Sequence, residues 1–198
     1  SQLNILQVGR VEDGFYYVME LADDMGHGRH IDADTYTPHD LRSEIHLHGR
    51  LPVARCLRLG LALTTALEHL HRNGLVHRDI KPSNIVFVNG IPKLADIGLV
   101  AQAEATMSFV GTEGFVPPEG PGTAQADIYS LGKVLYELST GHDRHQFPEL
   151  PTRLESPDER ELLGELNEVL LKACQRNPAE RYQRDRKSTR LNSSHRIR

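Results

Sequence analysis

Eight residues, His77-Arg-Asp-Ile-Lys-Pro-Ser-Asn84, hold the densest chemistry in this sequence, and Asp96-Ile97-Gly98 follows twelve positions later. Asp79 offers a carboxylate that can orient a hydroxyl and receive its proton. Asn84 and Asp96 offer an amide oxygen and a carboxylate, the hard donors that magnesium on a nucleotide prefers. Lys81 adds a cation suited to a transferring phosphate. Phosphoryl transfer asks little covalent work of a protein; it needs in-line positioning and neutralised phosphate charge. A single Asp or Asn in a loop is usually a turn residue, so these positions gain meaning only from their neighbours.

Three further stretches follow in order: Gly111-Thr-Glu-Gly-Phe-Val-Pro-Pro-Glu119, Asp127-Ile-Tyr-Ser-Leu-Gly132 and Arg176-Asn-Pro-Ala-Glu-Arg181. Together with the first two they resemble the motifs of the eukaryotic-type serine/threonine protein kinases, in their bacterial-like form. The resemblance covers residues 1–184. It implies Asp79 as the base, Lys81 against the phosphate, and Asn84 and Asp96 as metal ligands. It further implies that Thr112 braces Asp79 and Lys81, that Asp127 grips the backbone of the catalytic loop, and that Arg181 pairs with Glu119. Pro117 stands where the family usually has Ala, and Ile97 where it usually has Phe. Met19-Glu20-Leu21-Ala22 resembles the hinge: Met19 as gatekeeper, backbone groups of Glu20 and Ala22 on adenine, and Val86 as an apolar floor. Val8, His77 and Ile97 are expected to stack between the lobes. Arg78 is either a structural arginine or the partner of a phosphate on Thr106 or Ser108. The implied cofactors are ATP and Mg2+ (or Mn2+), and the implied partner is a protein carrying Ser or Thr.

Periodicity supplies the elements that must position these groups. Ile5 to Val8 and Phe15 to Met19, across Glu12-Asp13-Gly14, predict a hairpin. Leu21 to Asp34 reads as a connector and Pro38 to Leu47 as a short helix. Pro52 opens a long helix whose Leu63, Ala66, Leu67 and Leu70 recur at helical spacing, stopped by Gly74. Ile85–Val88, Asn89-Gly90 and Pro92–Leu94 predict a second hairpin with a type I′ turn. Residues 101–110 read as a mobile surface loop and 127–138 as a helix. Ser156-Pro-Asp-Glu159 reads as a capping box before a last helix carrying Leu162, Leu163, Leu166, Val169 and Leu170. The fold class is α+β and kinase-like: the end of a small β-rich N-lobe with its hinge (1–22), then most of a mainly helical C-lobe (23–184).

The 198 residues, 38% hydrophobic and 25% charged, describe a globular chain without a membrane-length apolar run or an export signal. Cys56 and Cys174 have no metal-type spacing and fit a reducing, cytoplasmic setting. The eleven histidines lack helix-face pairing, and His27 and His30 read as solvated loop residues rather than ligands. Residues 185–198 resemble a translated sequencing adapter or a disordered tail. Without them the formal charge moves from -4 to about -8, which argues against nucleic-acid binding. The sequence contains no Gly-x-Gly-x-x-Gly loop, strand lysine or helix glutamate of the family, so it reads as cut short at both ends. The chain alone is therefore expected to be nearly inactive. Two alternatives stand beside an active parent kinase: an ATP-binding pseudokinase scaffold and a small-molecule phosphotransferase.

Overall fold

The computed structural model describes residues 3–12, 14–26, 31–96, 101–102, 111–152, 154 and 156–183. The expectations for Ile97, Thr106, Ser108, His27, His30 and the tail after 184 lie outside the described residues. Among those described, the order is β1 (Ile5–Val11), β2 (Gly14–Met19), α1 (Leu41–His48), α2 (Val53–Arg72), β3 (Leu75–Val76), β4 (Ile85–Val88), β5 (Ile91–Leu94), β6 (Ala101–Gln102), α3 (Ala124–Thr140) and α4 (Pro157–Ala173). The strands form three antiparallel pairs, β1–β2, β3–β6 and β4–β5.

The two hairpins differ in what they bury. Within β1 and β2, Ile5, Leu6, Val8, Val11, Tyr16 and Val18 are all exposed. Val8 is 63% exposed, because β1 has only β2 beside it among the described residues, and the stack expected with His77 includes Ile97, which lies outside them. All four residues of β4, by contrast, are buried. Its turn has Asn89 at φ 52° and Gly90 at φ 73°, the paired positive values that a type I′ turn requires. The Asp23 carboxylate accepts hydrogen bonds from both turn amides, at 2.7 and 2.8 Å, tying the connector after β2 to this hairpin.

Helix starts follow side-chain caps. Asp40 accepts from the Ser43 amide at 2.7 Å while Ser43 Oγ accepts from the Asp40 amide, so α1 begins at Leu41 rather than at Pro38. Pro38 instead bridges Asp24, and Asp40 bridges Val86. Pro52 is the N-cap of α2, one place before the first turn expected for it. Thr123 caps α3, which runs from Ala124 to Thr140 and so exceeds the expected 127–138 at both ends. Ser156 caps α4, but the box is only half made: the Glu159 carboxylate turns away to the Arg50 guanidinium, at 2.8 and 3.2 Å. Ala101–Gln102 is a strand on β3, not the start of a loop.

The main core lies among α2, α3 and α4, with Leu59, Leu63, Leu67, Val134, Leu138, Leu163, Leu166 and Leu170 in one cluster that also takes in Ile80, Ile85 and Leu94. Gly132 lets α3 and α4 approach closely, since a Cβ there would lie 2.7 Å from Cys174 Sγ. Burial in this core pushes the thiols of Cys56 and Cys174 up to about 12 and leaves both free. No helix among the described residues is long and apolar enough to cross a membrane.

Candidate active site

The site stands on one buried carboxylate in the first turn of α3. Asp127, 1% exposed, accepts hydrogen bonds from the backbone amides of His77 at 2.8 Å and Arg78 at 2.9 Å, and from His71 Nε2 at 2.8 Å. These fix the turn between β3 and the loop carrying Asp79, where Arg78 adopts φ 74°, a left-handed conformation costly for a side chain of its size. The fully buried His77 ring then donates from Nε2 to the Ala95 carbonyl at 2.9 Å. The Ala95 amide donates to the Asn84 carbonyl at 2.8 Å. Two hydrogen bonds thus hold the residue before Asp96 against both ends of the 77–84 loop. Asp96 itself has φ 59° and an exposed side chain at the end of β5.

The loop's carboxylate collects three donors. Asp79 is 6% exposed. Its Oδ2 lies 2.7 Å from Lys81 Nζ and accepts from Asn84 Nδ2 at 2.9 Å, and its Oδ1 accepts from Thr112 Oγ1 at 3.0 Å. Lys81 Nζ also donates to Thr112 Oγ1 at 3.1 Å, closing a ring of three side chains to which Asn84 is joined through Asp79. Burial raises the Asp79 pKa, but the hydrogen bonds from Lys81 and Thr112, the Lys81 charge and the Asn84 amide outweigh it. The net result holds the group below the ordinary carboxylate value and ionised. Asn84 spends its second N–H on the Asp79 carbonyl at 2.9 Å, which leaves its amide oxygen for other work.

The structure brings Asp79, Lys81, Asn84 and Thr112 into direct contact and sets Asp96 beside Asn84 along the backbone. The hinge residues gather more loosely. Val86 and Ala22 are buried in a second, small apolar cluster with Leu3 and Val88, and Met19 and Ala95 pack against it. Glu20 is tied down by its side chain, which accepts from the Asn4 amide at 2.7 Å and pairs with Lys93 of β5. The Ala22 carbonyl accepts from the Tyr36 hydroxyl at 3.2 Å.

At the far end, Arg181 is wholly buried and forks onto Glu119, with Nη2 donating to Oε2 at 2.9 Å. Three residues escaped the sequence reading. His71 sits six positions before His77 in the last turn of α2, and nothing in the pattern singles it out from ten other histidines. Asp23 was legible only as an acid in a connector. Arg144 follows an Asp143-x-x-Gln146 cap, a signal that marks a turn but not what the arginine touches.

Against known proteins, the chain matches the protein kinase domain family over residues 8–186. It is 29% identical to a probable serine/threonine-protein kinase of Clostridium perfringens, covering 91% of this chain and 27% of that protein. It is 32% identical to the serine/threonine-protein kinase PknB of Mycobacterium leprae and 33% identical to PknB of Mycobacterium tuberculosis, in each case over 72% of this chain and 26% of the relative. The chain thus spans about a quarter of the length of these relatives.

Proposed function

We propose, since this chain belongs to the protein kinase domain family, that the protein carrying it transfers the γ-phosphate of ATP to Ser or Thr hydroxyls of protein substrates. The observation that supports this best is the buried Asp79 carboxylate, kept ionised by Lys81, Thr112 and Asn84. Oδ2 already accepts from two groups and Oδ1 from one, so Oδ1 keeps a lone pair for a substrate hydroxyl. The hydroxyl oxygen forms its bond to the γ-phosphorus as the bond to the departing nucleoside diphosphate oxygen breaks, and the hydroxyl proton passes to Asp79. Lys81 spends two of its three N–H groups on Asp79 and Thr112, and the third is left for a phosphate oxygen.

The donor set suits a small hard cation. With both Asn84 N–H groups engaged, its amide oxygen joins the exposed Asp96 carboxylate as a pair of oxygen ligands for Mg2+ or Mn2+. A bound metal would neutralise charge on the nucleotide phosphates. Adenine would lie over Val86, behind Met19, with backbone groups of Glu20 and Ala22 as its partners. Residues 1–22 act as the end of the small lobe with its hinge and 23–184 as the helical lobe. Working on ATP with both cysteines kept as thiols, this domain operates in the cytoplasm.

The test is transfer of labelled γ-phosphate from ATP to a protein substrate by the full-length protein. Asp79→Asn should lower kcat by about 100-fold to 10,000-fold while ATP binding persists. A variant that transfers phosphate as fast as the wild type refutes the reading, and ATP binding without any wild-type transfer favours a scaffold.

A further inference from the structure

The segment that contains Thr112 is held from behind by a residue outside all the motifs above. Arg144 lies in the short 3-10 turn after α3, closed by Asp143, whose carboxylate accepts from the His145 amide at 2.9 Å. The Gln146 side chain returns to the Asp143 amide at 3.0 Å. From this turn the Arg144 side chain reaches 31 residues back along the chain, where Nε donates to the Glu113 carbonyl at 2.9 Å. Its guanidinium carbon lies 4.6 Å from the centre of the Phe115 ring. Glu137 of α3 fixes the other side of the arginine: Oε1 accepts from the Arg144 amide at 3.0 Å and from Nη1 at 3.1 Å.

The segment's backbone is shaped around this side chain. Gly114 has φ 83°, and a Cβ there would meet Arg144 Nε at 2.5 Å and Cδ at 2.8 Å. The Phe115 amide donates to the Thr112 carbonyl at 3.1 Å, so the turn that Arg144 grips is the turn that presents Thr112. On its other side the Phe115 carbonyl accepts from Ser130 Oγ at 2.8 Å. Lys133 donates to the Arg144 carbonyl at 3.0 Å and sits 4.4 Å from the Phe147 ring centre, so the arginine's own backbone is anchored to α3.

We propose that Arg144 is a positioning residue for the protein substrate: it sets the height and tilt of the Thr112–Phe115 turn, and with it the surface on which the substrate backbone lies beside Asp79. This rests on the kinase reading. The arginine touches neither Asp79 nor any hinge residue, so its effect belongs to protein-substrate binding and not to ATP. Its planar fork is what the site uses, bridging Glu137 and the Glu113 carbonyl over the Phe115 ring, and a lysine can reproduce only one of those contacts.

The experiment uses the full-length protein with Arg144→Ala and Arg144→Lys. The alanine variant should raise KM for a protein substrate about tenfold, the loss expected for one charge-assisted hydrogen bond, with KM for ATP within about twofold of wild type. The lysine variant should fall between the two. Amide hydrogen exchange at 113–115 should quicken in the alanine variant while the amides of 131–138 in α3 keep their protection. A protein-substrate KM within about twofold of wild type overturns the proposal. So does unchanged exchange at 113–115, or a parallel rise in both KM values with faster exchange throughout α3, which would make Arg144 merely structural. If the wild type transfers no phosphate, the kinase reading fails and the substrate role with it, while the exchange measurement still decides whether Arg144 holds the Thr112–Phe115 turn.

Discussion

Replacing Arg181 by methionine should destabilise the protein by about 3–5 kcal/mol, and the structure explains why the loss exceeds that of its partner. The guanidinium is 0% exposed and all five of its N–H groups are in use. Nε donates to the Gln175 carbonyl at 2.7 Å, Nη1 to Glu119 and to the Gln125 carbonyl at 3.0 Å, and Nη2 to Glu119 at 2.9 Å and the Arg176 carbonyl at 3.3 Å. The plane also lies 4.9 Å from the Tyr129 ring centre. Methionine fills part of the volume but strands three carbonyls and a carboxylate. Glu119, however, is 26% exposed and can regain water. Glu119→Gln removes the charge from one partner and turns one of its two acceptors into an N–H, but it leaves the three carbonyl bonds intact, at a cost of about 1–2 kcal/mol. Urea denaturation of wild type and both variants measures the order. An Arg181→Met cost equal to or below that of Glu119→Gln would refute the view that the backbone contacts, rather than the ion pair, dominate.

Lys81→Met should shift the acidic limb of the pH–rate profile upward. Asp79 has a lowered folded pKa, so its ionised form and the stability that goes with it are present above the unfolded carboxylate value and lost as pH falls through the folded one; without Lys81 the burial that opposes ionisation is less offset. A limb that stays in place in the variant would exclude Lys81 as a cause. Asp127→Asn gives one of its three donors an N–H to face instead of an oxygen, and should cost about 1–3 kcal/mol in denaturation with faster exchange of the His77 and Arg78 amides; unchanged exchange would count against Asp127 as the anchor. Gly132→Ala should cost about 1–3 kcal/mol by overpacking α3 on α4, and Cys174→Ala should recover part of it in a double-mutant cycle, whereas strict additivity would place the clash elsewhere.

What the sequence made legible follows from how local each signal is. The Asn89-Gly90 turn, the Ser156 cap and the apolar stripe of α2 are written in contiguous residues, so they appear where expected. The start of α1 was misread because Pro38 looks like a first-turn proline, while Asp40 and Ser43 close a box two residues later. The exposure of Val8 was not legible, because it depends on what covers a strand and not on the residues within it. Within the site, the cluster of Asp79, Lys81, Asn84 and Thr112 was legible because its members sit in recognisable motifs. Arg144 was not, because its partners Glu113, Phe115 and Glu137 are joined only in three dimensions.

The geometry also links the 111–120 segment to Asp79 through the Thr112 hydroxyl. Thr112 donates to Asp79 Oδ1 and accepts from Lys81 Nζ, so the segment's position is part of the electrostatic environment of Asp79. Burial alone would push Asp79 toward its neutral form, and Thr112 is one of the donors that reverse that tendency. Moving the 111–120 segment away by even a hydrogen-bond length would remove a donor from Oδ1, loosen Lys81 and raise the pKa of Asp79. Ordering of the segment and ionisation of Asp79 are thus coupled in both directions: protonating Asp79 removes the acceptor that Thr112 donates to, and freeing Thr112 favours protonation. Because α3 anchors the 77–84 loop through Asp127 and holds the 111–120 segment through Ser130 and, by way of Arg144, through Glu137, one helix sets both sides of that bond.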